Sequence, residues 1–256
     1  MHAPQSELPR RTAAIVAELR ARAPRVHCIT NAVAQAFTAN MLLAAGAVPS
    51  MTIASDEVAA FTASAGALLV NLGTFDSERR QAAETAIAAA TEKKIPWVLD
   101  PVFIDRSPGR AEFAKRLVAR KPTAMRLNAA EFRALTGQAP ESDALMRFAR
   151  ETGIVVGRTG ETDRVTDGVR FAAIENGDPL MGRVTAMGCA ASALAAACLA
   201  VENDALVATA AALLAFGVAG EIAAASASGP GTFAAAMLDA LHNLTSKDIL
   251  ARARVT

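Results

Sequence analysis

The sequence predicts an α/β fold, with a mostly parallel central sheet flanked by helices and an alanine-rich helical C-terminal third. Three observations carry this. Short apolar runs closed by Gly, Pro or Asn alternate with segments of helical period through the first two thirds of the chain, the pattern of a parallel sheet with helices on both faces. From Cys189 onward nearly the whole chain reads as helix. Finally, 52% of the 256 residues are hydrophobic, ample for a core on each side of a sheet.

Residues 6–22 put Ile15, Val16 and Leu19 near helical spacing, and 26–29 is a short strand ending at Thr30-Asn31. Residues 33–45 read as helix up to Gly46, a common stop, and 57–65 as another. ALLVN (67–71) is a buried strand closed by Gly73. Residues 76–93 form a strong helix, with Asp76 and Glu78 at its start and Lys93-Lys94 at its end, as the helix dipole favours. Strand 97–100 stops at Pro101. Strand 123–127 leads into helix 129–136, which ends at Gly137, and 154–158 repeats the strand pattern. Segments 164–166 and 170–174 flank Asp167-Gly168, a hairpin turn pair. The last helices are 189–200, 205–225 and 232–243, the final two parted by Gly229-Pro230-Gly231. With no repeat and no linker-like stretch, residues 1–256 read as one domain. The alanine-rich helices suit either close packing in the core or a subunit interface.

Charge and cysteine content narrow the function classes. There are 26 basic and 25 acidic residues, a net charge of +1, whereas a nucleic-acid protein needs a clustered basic face. Small molecules or copies of the same chain are the expected partners, with no nucleic acid. Cys28, Cys189 and Cys198 make an odd, sparse set, which points to a reducing, cytoplasmic compartment. Residues 1–11 lack the apolar run of a signal peptide. The uncharged stretch 205–220 falls short of the roughly 20 residues that span a bilayer, so it reads as a buried helix and no membrane partner is expected.

There is no Walker A loop, no G-x-G-x-x-G and no Cys-x-x-Cys. Only His2, His27 and His242 occur, too few for a histidine metal centre or triad. His27 and Cys28 are neighbours on a strand and face opposite sides, so both read as core residues. Any metal is then a hard cation on carboxylates, which alongside phosphates means magnesium.

Four motifs remain, each with two readings. Gly188-Cys189 opens a helix, where exposed N–H groups bind anions and a thiol pKa falls; otherwise the cysteine is a small buried thiol. Asn128 and Glu131 follow a strand, and either face a magnesium-bound phosphate or form a capping box. Leu99-Asp100-Pro101 puts an acid at the C-terminal end of a strand, where ligands of open sheets sit, or merely ends it. Gly157-Arg158-Thr159-Gly160 holds a nucleotide phosphate or ribose, or only turns.

The order of these parts resembles the ribokinase-like superfamily, with its three-layer fold, and within it the hydroxyethylthiazole kinase family over nearly the whole chain. The resembling segments are VHCITN (26–31), FTANMLLAAGAVPSM (37–51), GALLVNLGT (66–74), VLDPV (98–102), RLNAAE (126–131), TGETD (159–163), VTAMGCAAS (184–192) and GPGTF (229–233). Cysteine at 189, where most ribokinase-like enzymes keep aspartate, is the most diagnostic.

That resemblance implies ATP- and magnesium-dependent phosphorylation of the primary alcohol of 4-methyl-5-(2-hydroxyethyl)thiazole, in thiamine salvage. By position, Met51, Ala186 and Asn31 look like substrate-side residues. Arg126, Thr159 and Asn128 look like nucleotide contacts, and Asp100 and Glu131 like the magnesium carboxylates. Residues 186–189 look like the anion hole for the moving phosphoryl group, with Gly188 and Cys189 catalytic. Cys189 stands in the place of a general base, as a positioner or weak base whose thiolate the helix start favours. The family is typically a homotrimer with pockets between subunits. Two departures stand out. The family hole usually reads Gly-x-Gly-Cys, whereas here it is Ala186-Met187-Gly188-Cys189; an alanine at positive φ costs about 1–3 kcal/mol, and otherwise its methyl narrows the pocket. After Asp-Pro the family is small and glycine-rich, whereas here Phe103 and the Asp105-Arg106 pair would reshape the acceptor or phosphate side. They leave two alternatives: another small alcohol acceptor such as hydroxymethylpyrimidine, or a non-catalytic thiazole-binding protein.

Overall fold

The computed structural model describes residues 7–256. Residues 1–6, including Ser6 at the expected start of the first helix, His2 and the first half of the stretch read for a signal peptide, lie outside the described residues. Among the described residues eight strands form one sheet: β1 (Arg25–Ile29), β2 (Val48–Ser50), β3 (Ala67–Asn71), β4 (Trp97–Asp100), β5 (Ala124–Asn128), β6 (Val155–Thr159), β7 (Asp163–Thr166) and β8 (Phe171–Ile174). Their order is β2-β1-β3-β4-β5-β6-β7-β8. The first six run parallel, and β7 and β8 are antiparallel.

The helices are α1 (Leu8–Arg22), α2 (Gln35–Ala45), α3 (Val58–Ala63), α4 (Ser77–Lys93), α5 (Pro108–Val118), α6 (Ala129–Thr136), α7 (Ser142–Thr152), α8 (Met187–Leu199), α9 (Ala205–Ser226), α10 (Pro230–Asn243) and α11 (Ser246–Arg252). Strand period two sorts the side chains into two cores. On β3, Ala67 and Leu69 join the core shared with α1, α2 and α8–α11, whereas Leu68 and Val70 join that of α3–α7. Covered on both faces, β3 and β4 are buried throughout, as parallel strands are.

The alanines of α8 and of most of α9 serve the core. Every α8 residue except Gly188 is buried, and α8 packs along α9, since small side chains let helices approach closely. Helix α9 has 22 residues, longer than the stretch read from sequence and long and apolar enough to cross a bilayer. Yet 78% of its most apolar window is buried inside the fold. Cys28 lies in the α8-side core, and its thiol, like that of Cys198, is pushed up to about 12 by burial. His27 is also buried; its Nδ1 pairs with Ser50 Oγ at 2.8 Å, and burial holds it down to about 4. Its Nε2 has no partner among the described residues, so it is only half satisfied.

Several elements differ from expectation. β2, α5, α7 and α11 were not predicted. β2 has three residues and carries Pro49, which an edge strand tolerates. Helix α5 begins with Pro108 at its first turn, a start signal masked by its charged face. Strands β5 and β6 start and end one residue later than expected and α8 starts two residues earlier. The hairpin turn is longer than Asp167-Gly168: Thr166 pairs with Phe171, and Asp167 Oδ1 accepts from the N–H groups of Val169 and Arg170 at 2.9 and 2.7 Å.

Candidate active site

The parallel strands all end at one edge of the sheet, and register sets neighbours there: Asn71 beside Asp100, and Asn128 beside Thr159. Asp100 has no exposed surface. Its Oδ2 accepts from Asn71 Nδ2 and Ser192 Oγ, each at 2.8 Å. Its Oδ1 is buried without a partner among the described residues. Burial pushes this carboxyl up to about 7 against the pull of Arg126, with Glu131 adding to the rise. An orphaned carboxylate oxygen is the hard donor that magnesium takes, so Asp100 fits the expected ion. Among the described residues no three His, Cys, Asp or Glu side chains cluster as metal ligands; water and phosphate would complete the shell, as is usual for magnesium.

Helix α8 opens beside this acid. Its N-cap is Ala186, at φ 73° and ψ −1°, the left-handed region that costs an L-residue energy. No side chain caps α8 among the described residues, so its first N–H groups stay available to an anion. A Cβ on Gly188 would stand 2.6 Å from Arg126 Nη1, so any side chain there would displace the tip of Arg126. The Arg126 guanidinium therefore lies directly against the helix mouth. Cys189 is buried, and its Sγ accepts from Asn31 Nδ2 at 3.3 Å. Asn31 also accepts the Ala34 N–H at 2.9 Å, so it both caps a turn and reaches the thiol. The helix start was expected to favour the thiolate. Instead burial, reinforced by Asp100, pushes the thiol up to about 11, because desolvating a charged sulfur outweighs the partial charges of a helix end.

At the next strand end the structural reading holds. Asn128 Oδ1 accepts the Glu131 N–H at 2.9 Å, and Glu131 Oε2 accepts the Asn128 N–H at 2.8 Å, a complete capping box. Glu131 Oε1 accepts the Phe103 N–H at 3.0 Å. Both oxygens of Glu131 are thus engaged with backbone. Phe103 sits at φ 60°, and its half-exposed ring lies 5.2 Å from the Arg106 guanidinium carbon.

A cavity of about 780 Å³ opens between the ends of β5 and β6, α8 and α9. Arg126, Asn128, Thr159 and Gly188 form its polar end; Met187, Leu213 and Phe216 form an apolar wall. Asp163 also lines it, accepts the Gly160 N–H at 2.9 Å and is pushed up to about 6 by burial. An apolar slot leading to a few convergent polar groups is the shape of a small-molecule site.

The structure thus gathers Asp100, Arg126, Gly188, Cys189, Asn31 and Ala186 around one helix mouth, with Thr159 and Asn128 at the adjoining cavity. Met51 stands apart. It follows the edge strand β2, packs half-buried against the α8-side core and does not line the cavity. Sequence reasoning missed Asn71 and Ser192, which fix Asp100. Ser192 carries a legible signal: it lies one helical turn after Gly188, on the same face.

The sequence profile described as the Hydroxyethylthiazole kinase family matches residues 16–247. A hydroxyethylthiazole kinase of Cronobacter sakazakii is 48% identical over 243 residues, covering 90% of this chain and 92% of that protein. A probable hydroxyethylthiazole kinase of Agrobacterium fabrum is 43% identical over 245 residues, covering 96% and 94%. The solved hydroxyethylthiazole kinase of Pyrococcus horikoshii superposes with a TM-score of 0.92 at 36% identity, covering 96% of this chain and 98% of that one. A ribokinase-like protein of Enterococcus faecalis, at 12% identity and a TM-score of 0.69, shares the fold.

Proposed function

The chain belongs to the hydroxyethylthiazole kinase family, and from that premise we propose how its residues carry the reaction. It is a ribokinase-like kinase that phosphorylates hydroxyethylthiazole, with ATP implied as phosphoryl donor and thiamine salvage as the setting. The nucleotide base lies against Met187, Leu213 and Phe216, and the phosphates extend past Thr159 and Asn128 to Arg126 and the mouth of α8. Asp100, with its unpaired Oδ1, would hold magnesium, and Glu131, its oxygens already taken by N–H groups, would act on the ion only through water. When bound, magnesium offsets the negative charge of the phosphates.

The substrate alcohol attacks the γ-phosphorus in line; the new oxygen–phosphorus bond forms as the bond to ADP breaks, and the hydroxyl proton leaves late, to water or a phosphoryl oxygen. Charge gathers on the phosphoryl oxygens in a loose transition state, so positioned donors matter more than a strong base. The amides around Gly188, the α8 dipole and the Arg126 guanidinium supply those donors. Cys189, a neutral thiol held by Asn31, orients the hydroxyl, with Ala186 bounding the same space. Met51 contributes to the acceptor pocket from a neighbouring subunit of a homotrimer. Its place outside the cavity lining supports that, as do Leu43, Val48 and Phe61, half exposed around the same sheet edge. The unpaired thiols agree with a cytoplasmic enzyme.

The observation that carries this reading is the uncapped mouth of α8 with Arg126 against Gly188 and the unpaired Asp100 oxygen beside it. A coupled ADP assay tests it. ADP should appear only when ATP, magnesium and hydroxyethylthiazole are all present. Turnover with hydroxymethylpyrimidine alone would reassign the acceptor, and calorimetric thiazole binding without ADP would make the protein a binder rather than an enzyme.

A further inference from the structure

One wall of the cavity is the loop between β8 and α8, where Asn176, Gly177, Pro179 and Met181 face the open space. Helix α9 admits this loop at close range: a Cβ on Gly217 would stand 2.5 Å from the Asn176 carbonyl oxygen. What fixes the loop comes from elsewhere in the chain. Asn176 is buried, and its amide is fully used. Its Nδ2 donates to Glu221 Oε1 at 2.9 Å and to the Arg252 carbonyl at 2.8 Å, and its Oδ1 accepts the Arg254 N–H at 2.7 Å. Glu221 Oε1 accepts also from the Gly177 N–H at 3.0 Å and from Arg254 Nη2 at 2.7 Å. The last residues extend the sheet: Ala173 and Thr256 exchange backbone bonds at 2.8 and 3.0 Å, and the Glu175 N–H reaches the Arg254 carbonyl at 3.0 Å.

We infer that the C-terminal segment 252–256, together with Glu221, is the positioning device for the nucleotide-side wall, acting through Asn176. Neither Arg254 nor Glu221 lines the cavity; each acts through the loop. This rests on the reading of the cavity as the nucleotide site. The physical case is that a wall built from a loop holds a ligand well only if the loop is already ordered, since otherwise ordering it opposes binding. Here three donors on one carboxylate oxygen and a clamped amide do that ordering before any ligand arrives. The recognised ligand is a purine nucleotide, and the acceptor alcohol is bound elsewhere.

Two full-length variants leave the cavity's own side chains intact. Arg254→Pro removes the N–H that Asn176 accepts, and Glu221→Ala removes the shared acceptor. ADP affinity by calorimetry should weaken about tenfold in each, the scale of one or two lost hydrogen bonds to a charged or buried group. The KM for hydroxyethylthiazole and the far-ultraviolet circular dichroism should stay at wild-type values. Amide exchange in residues 175–183 should quicken. ADP affinity within twofold of wild type in both variants overturns the inference, and so does an equal loss for both substrates, which marks a general folding defect. Amide exchange of the wild-type protein with and without ADP separates the two failures. Protection over 157–163 and 186–191 shows the nucleotide in the cavity; its absence sinks the cavity reading, and the inference with it.

Discussion

Two helices begin at the same edge of the sheet, and they are finished in opposite ways. Helix α6 starts with Asn128 and Glu131 locked in a capping box, so side chains of the protein satisfy its first donors. Helix α8 starts with Ala186 in a left-handed conformation and no capping side chain among the described residues. The first arrangement stabilises the fold by about 1 kcal/mol. The second forgoes that and leaves a cluster of N–H groups and a helix dipole for an anion to use. A capped end is finished by the protein, whereas an open one is finished by its ligand.

Substitution at the open end should have the largest effect. Gly188→Val pushes a side chain into Arg126, and kcat/KM should fall about 100-fold or more, the scale for displacing one preorganised donor; retention within tenfold in the ADP assay would break the contrast. Next comes Cys189→Ala. With its thiol pushed up to about 11, the cysteine positions rather than titrates, so kcat should drop only about tenfold, short of the roughly 100-fold or more that loss of a general base brings. The same shift has a sign that can be read chemically. Alkylation of Cys189 by iodoacetamide should be slower than that of an ordinary thiol at neutral pH and keep accelerating as pH rises beyond the usual thiol value of 9.0; a rate that levels off below neutrality would overturn it.

At the closed end the readout moves from rate to stability. Glu131→Ala should lower unfolding free energy by about 1–2 kcal/mol, since the cap and the tie to the Phe103 N–H both go. Glu131→Gln adds a finer test, because a water-mediated contact to magnesium predicts a raised magnesium requirement even where chemical denaturation shows little change. The smallest effect belongs to Ala186→Gly. Relieving a left-handed alanine should stabilise the fold by about 1 kcal/mol with no loss of turnover. A fall in melting temperature would mean that the methyl packs rather than strains.

How much was legible follows the same physics. The strands carrying Asp100, Asn128 and Thr159 were readable because each opens on apolar residues and stops sharply at Pro101, at a helix start or at a turn. The motif order pointed to Gly188 and Cys189 at a helix start, and both lie in the first turn of α8. The thiol's pKa direction was misjudged, because a helix start is visible in sequence while burial beside Asp100 is not. Asn71 and Ser192 were missed because their role is a pair of hydrogen bonds to a residue 29 positions away in one case and 92 in the other. Glu221 and Arg254 were missed for the same reason.

By itself the sequence determined the alternation of strand and helix, the edge of the sheet where chemistry gathers, and the family, since all three are written in local periodicity and contiguous motifs. Only the tertiary structure decided that Glu131 caps a helix, that Cys189 stays protonated, that Ala186 is strained and that the chain's last residues brace the cavity wall. Those properties depend on burial and on partners distant along the chain, and desolvation and long-range hydrogen bonds leave no periodic trace in a sequence.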